Sequence, residues 1–182
     1  MTQTDRDYDP MMGTGSFDIW RDGTSFANPV SGTFVATLFR AIYDGLPGTF
    51  AVEQAGGPFT VGATNGLRWN QTVAGSGSTY RTLEARIEDT TTFNNDTATL
   101  SFYASAEANG TLCGVEVAQF FGSGGTPSAD VVLLQDGFCA NQTIRRKVFT
   151  FAVPSTQAKT FGANFDDCIK IRIKYPPNVA FN

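Results

Sequence analysis

The chain has 182 residues, 41% of them hydrophobic and only 16% charged, with sixteen Phe, nineteen Gly and no His. Its net charge of −4 repels nucleic acid and anionic membranes, so neither is expected as a partner. Without histidine, the commonest general base and metal ligand are missing, and with them every Ser-His-Asp or Cys-His arrangement. Aromatic and β-branched residues favour strands and Gly and Asn favour turns, so this composition predicts an all-β domain.

Residues 1–14, "MTQTDRDYDPMMGT", carry no periodicity and read as an extended N-terminal arm. A single domain follows over residues 15–182, with no linker and no internal repeat. "GTFVATLFRAIYDG" is ambiguous. Phe34, Val35, Leu38, Phe39 and Ile42 fit a helical face, yet its β-branched and aromatic content fits a strand, and both readings stay open. "TFAVEQ", "LRWNQTV" and "YRTLEARI" have the length and composition of strands. "TATLSFYAS" puts Leu100, Phe102 and Ala104 on one face and Thr99, Ser101 and Tyr103 on the other. "LCGVEVAQFF" and "ADVVLLQ" are further strands, separated by "GSGGTPS". "KVFTFAV" turns Phe149, Phe151 and Val153 inward. "CIKIRIKY" alternates strictly, which predicts a half-buried strand with Lys170, Arg172 and Lys174 on a wet face. Many short strands divided by Gly, Pro and Asn turns indicate an antiparallel β-sandwich or jelly roll.

The glycine-rich stretch is not a phosphate loop. That motif needs a Lys after its last Gly and a helix behind it, and here a strand follows. Gly122, Gly124, Gly125 and Pro127 instead suit a sharp structural loop. "DRDYD" imitates the start of a calcium loop, but Pro10 and Ser16 stand where a Gly and a bidentate Glu are required. It reads as a solvated acidic arm able to order on a partner. Paired-carboxylate catalysis would have to draw on Glu53, Glu84, Glu88, Asp89, Glu107, Glu116, Asp130 and Asp136, most of which read as solvated turn residues. No enzyme activity, cofactor or metal is therefore expected, though a calcium ion held through Asp18 stays open. Cys113, Cys139 and Cys168 are too dispersed for a CxxC site. Asn-x-Thr sequons at Asn70, Asn95, Asn109 and Asn141 are set against a start with no apolar run, and cytosolic synthesis with reduced thiols is the expectation. No stretch approaches the ~18 apolar residues that span a bilayer. Among the aromatic residues, Tyr103, Trp69 and Tyr80 are candidates for a sugar-stacking platform.

Four segments in order, "FDIWRDGTSFANP", "RIEDTTTFNNDTATLSFYASA", "VEVAQFFGSGGTPSADV" and "FTFAVPSTQAKTFGANFDDCIKIRI", resemble the jelly-roll, carbohydrate-binding-module-like domains of bacteriophage virion proteins. The resemblance covers roughly residues 15–175 and gives the glycine-rich loop a structural role. It implies one of two settings. The first is a capsid cement (decoration) protein on the outer capsid surface, made in the host bacterial cytoplasm, homotrimeric and bound to the major capsid protein. Its candidate capsid or inter-subunit contacts are Thr2, Thr4, Asp5, Arg6, Asp7 and Tyr8. The second is a glycan-binding module of a tail fibre or other appendage. The basic outer face of "CIKIRIKY" is expected to be answered by the acidic arm within an oligomer.

Overall fold

The fold is that of a computed structural model, which describes residues 17, 20, 22–36, 38–46, 48–56, 65–76 and 80–175. The expected arm over residues 1–14 lies outside them, as do Asp18 and everything after Tyr175. The described chain is all-β, with no helix. Its strands are β1 (Ser25–Ala27), β2 (Phe34–Ala36), β3 (Phe39–Tyr43), β4 (Thr49–Gly56), β5 (Asn65–Val73), β6 (Arg81–Glu88), β7 (Asp96–Ala104), β8 (Thr111–Phe120), β9 (Val131–Ala140), β10 (Arg145–Val153) and β11 (Cys168–Lys174).

All pairings are antiparallel. A six-stranded sheet runs β2-β3-β6-β11-β8-β9, and two smaller sheets run β1-β4-β5 and β10-β7. Alternation decides what each face does. Leu83, Ala85, Val115, Val117 and Ile173 all point from the large sheet toward the two small ones. Over β2, β3 and β6, Val35, Ala41 and Leu83 meet Phe50 and Val52 of β4, with Phe26, Leu67 and Trp69 packed around them. Over β8, β9 and β11, Cys113, Val115, Phe138 and Ala140 meet Leu100, Phe102 and Phe149 from the β7–β10 pair. The molecule is thus a β-sandwich whose second layer is divided in two. Each fully buried Val or Phe contributes about 1.5–3 kcal/mol relative to exposure.

From β6 onward the pairs are nested. β8 pairs with β9, β7 with β10 and β6 with β11. The chain therefore behaves as one long hairpin folded over, with β7 and β10 in one layer and the other four strands in the opposite one.

The ambiguous segment forms strands. Ala36 pairs with Phe39, Leu38 sits in the left-handed region at φ 70, and β3 continues in register along β6. Pairing with β6 supplies the hydrogen bonds that a helix would have made internally. The inward residues expected of β7 and β10 are all found inward, with Thr99, Ser101 and Tyr103 on the outer side.

Candidate functional site

The glycine-rich loop closes against the loop between β10 and β11. Gly162 N–H donates to the Phe121 carbonyl (2.7 Å), Ala163 N–H to Gly124 (3.1 Å) and Asn164 N–H to Ser123 (3.0 Å). Asp166 accepts from the Ser123 N–H at 2.6 Å and from its hydroxyl at 2.8 Å. These bonds hold the Asp166 carboxyl below the usual carboxylate range. Gly122, Gly124 and Gly125 adopt φ of 89, 80 and 69, where a side chain is strained. At Gly162 a Cβ would stand 2.3 Å from the Ser123 carbonyl oxygen. The Phe121, Ser123 and Gly124 carbonyls and the Ser123 N–H and hydroxyl are thus spent on the partner loop. The tip of that partner carries Phe165, 92% exposed and left-handed at φ 53.

The outer face of the six-stranded sheet departs from expectation. Phe34, Arg40, Glu84, Arg172, Glu116 and Gln135 stand opposite one another, one from each of β2, β3, β6, β11, β8 and β9. Glu84 accepts from Arg40 (2.9 Å) and Arg86 (2.8 Å) on one oxygen and from Arg172 (2.9 Å) on the other. Glu116 accepts from Arg172 (2.5 Å) and Lys174 (2.6 Å). Lys170 reaches Asp130 at 3.3 Å and lies 3.4 Å from the centre of the Phe120 ring. The expected wet face is therefore corrected: Lys170 is 7% exposed, and Glu84 and Glu116 are buried strand residues rather than solvated turn acids. The basic strand is answered by Glu84, Glu116 and Asp130 of the same chain, so it does not require the arm.

Burial opposes ionisation of both glutamates. Hydrogen bonds and charge from Arg86 and Arg172 at Glu84, and from Lys174 and Arg172 at Glu116, outweigh that and hold both below the usual range. Two such carboxylates, with Arg172 between them, offer no protonated acid near neutrality. The row is an ion network in which each glutamate is paired with at least two cations. Alternation in "TLEARIE" and "GVEVA" marks these charges as sharing a strand face. Only the pairing of strands far apart in sequence aligns them.

The three candidate platform residues are separated. Trp69 is partly buried against the core, stacking on Phe50 (centroids 4.4 Å apart) and on Tyr175 (4.8 Å). Tyr80 precedes β6, 39% exposed, with its N–H donating to Asp44. Tyr103 is 48% exposed on the outer face of β7. Arg146 lies opposite it, and beside it run Ser101 and the hydroxyl-bonded pair Thr99 and Thr150. Thr2, Thr4, Asp5, Arg6, Asp7 and Tyr8 lie outside the described residues. No group of three metal-binding side chains occurs among the described residues. No helix there is long and apolar enough to cross a membrane.

No family model matches the chain, and no curated protein or solved structure is significantly similar to it.

Proposed function

We propose that the protein is a capsid cement (decoration) protein of a bacteriophage virion. It is non-enzymatic and homotrimeric, and it binds across neighbouring major-capsid subunits on the outer surface of the head. One observation carries the reading. The segments similar to phage virion domains fall on elements that are coupled in space. Arg86–Ala106 covers the end of β6 and all of β7, Val115–Val131 runs from β8 through the glycine-rich loop to the start of β9, and Phe149–Ile173 joins β10 to β11. These are the nested strands and the two locked loops. Such nesting is the winding expected of a jelly roll and supports that finer description of the sandwich.

The action is mechanical. A stiff sandwich repeated over a shell bridges many seams, and multivalency gives an avidity that single contacts lack. The arm, with Thr2, Thr4, Asp5, Arg6, Asp7 and Tyr8, is the first candidate for the contact. Cosedimentation with capsids stripped of the protein tests this. Saturable binding at a fixed ratio to the major capsid protein, weakened when residues 1–14 are removed, is the expected result. Failure of the folded full-length protein to bind sinks the reading.

The exposed Tyr103, flanked by hydroxyls and Arg146, favours one competitor, a glycan-binding module of a tail appendage. That reading expects a saturable sugar affinity that Tyr103→Ala abolishes.

A further inference from the structure

Phe165 is held out of the fold under strain. Its φ of 53 is an outlier for a bulky side chain, and its ring is 92% exposed. The residues around it are pinned. Asn164 donates to the Ser123 carbonyl and hydroxyl at 3.0 Å each, Asp166 accepts twice from Ser123, and Asp167 accepts from the N–H groups of Asp89 and Thr90. Strain of this kind persists only where the surroundings impose it, and it gathers at binding sites. An aromatic side chain fixed in place beforehand also loses little freedom on contact. Glu88, Asp89, Asp166 and Asp167 belong to this end of the sandwich, so the ring stands in acidic surroundings.

The outer face of the β7–β10 pair has the opposite character. Tyr103 and Val148 are 48% and 54% exposed there. Tyr103 stands opposite Arg146 and Val148 opposite Ser101, which makes the two a diagonal pair within reach of an aromatic side chain. Arg145 and Arg146 are exposed beside them. Arg146 donates to the Ser101 hydroxyl at 3.1 Å, and among the described residues neither arginine has a carboxylate partner. The Thr156 N–H donates to Asn94 Oδ1 at 2.8 Å, which ties the turn before β7 to the loop that carries Phe165. Tyr103 lies seven residues beyond Asp96, the first residue of β7, or about 23 Å of strand. The acidic aromatic tip and the basic apolar face therefore stand at opposite ends of one molecule and cannot meet within it.

We propose that Phe165 of one copy docks on the Tyr103, Val148 and Arg146 face of a second copy, with the carboxylates around the ring turned toward Arg145 and Arg146. The two halves of this contact differ, so it is heterologous. Each copy offers its tip to one neighbour and its face to another, and such contacts close into a ring. The inference rests on the homotrimer of the reading above, for which it supplies the joint, and it needs no capsid.

Sedimentation of the full-length protein at low ionic strength tests this, with Phe165→Ser and Arg146→Glu set beside the unaltered chain. Both positions are exposed, so neither change should disturb the fold, and an unchanged urea midpoint checks that. Each should weaken self-association at least tenfold, and added salt should weaken it in the unaltered protein. A crosslink then identifies the contact with Phe165, Tyr103 and Val148 left in place. In a Cys139→Ser background, which removes the exposed native thiol, Ala163→Cys and Ser101→Cys chains are mixed and treated with a short bismaleimide. A linked dimer is expected from the mixture and from neither variant alone. A linked dimer from Ala163→Cys alone would show a two-fold contact and overturn the proposal. If the protein is oligomeric but neither substitution weakens it, or the mixture does not crosslink, the proposal falls and the homotrimer reading stands. A monomeric unaltered protein overturns both.

Discussion

Ser123 and Asp166 are bonded twice across 43 residues of sequence, once through the Ser123 backbone N–H and once through its hydroxyl. The strand pairs β8–β11 and β8–β9 bring their two loops to the same end of the sandwich, and the glycines let the backbones close. The glycine-rich stretch is accordingly a fastening between loops, with the Ser123 N–H and hydroxyl both spent on the Asp166 carboxylate.

Gly162→Ala tests that fastening. The new Cβ would meet the Ser123 carbonyl oxygen and nitrogen at 2.3 and 2.5 Å, and these are backbone atoms that cannot rotate away. Overpacking of this kind costs about 1–3 kcal/mol. Urea unfolding should show a lowered midpoint, with faster amide exchange at Ser123 and Asn164. An unchanged midpoint would mean that the loops part easily.

Glu84 is the hub of the charged row, serving Arg40, Arg86 and Arg172. Glu84→Gln leaves these cations without their shared counter-charge and should cost about 3 kcal/mol. Glu84→Met combined with Arg172→Met should cost less than the sum of the single changes. A double-mutant cycle by denaturant unfolding gives the coupling, and strict additivity would show that the row contributes no pairwise energy.

The same glutamates set an acid limit. Because Glu84 and Glu116 titrate lower in the folded protein than in the unfolded chain, the unfolded chain binds protons first. Their contribution is fully present above the unfolded glutamate pKa, about 4.3. It is lost as pH falls through their depressed folded values. Tm followed from pH 7 down to pH 3 should fall below about pH 4, and Glu116→Gln should flatten that fall. A Tm independent of pH in this range would contradict the linkage.

The three thiols differ in access. Cys139 is exposed, whereas Cys113 and Cys168 are buried. Burial, followed by the neighbouring Cys139, pushes Cys113 up to about 11, and burial also raises Cys168. Since the thiolate is the reactive form, a thiol reagent at pH 8 should modify Cys139 in the native protein and all three cysteines after denaturation. Rapid native reaction at Cys113 would show that β8 and β9 open.

The sequence by itself determined the strand character. In β7, β10 and β11 alternation named the inward residues, because a strand's side chains change face at every step whatever surrounds it. It could not resolve β2 and β3, where the apolar residues fit two periods and only pairing with β6 decided between them. It put Tyr103 on the outer face of β7 by the same alternation, but had no such pattern to place Trp69. Trp69 is committed to the core by Phe50, nineteen positions earlier, and by Tyr175 at the far end of the chain. The charged row shows the same division. The sequence put Arg172 on the polar face of its strand, whereas Glu84 and Glu116 stood among acids most of which read as solvated turn residues. Tertiary structure alone made them neighbours, because register between distant strands is set by which apolar faces can be buried together, and the polar faces then meet whatever that register brings opposite them.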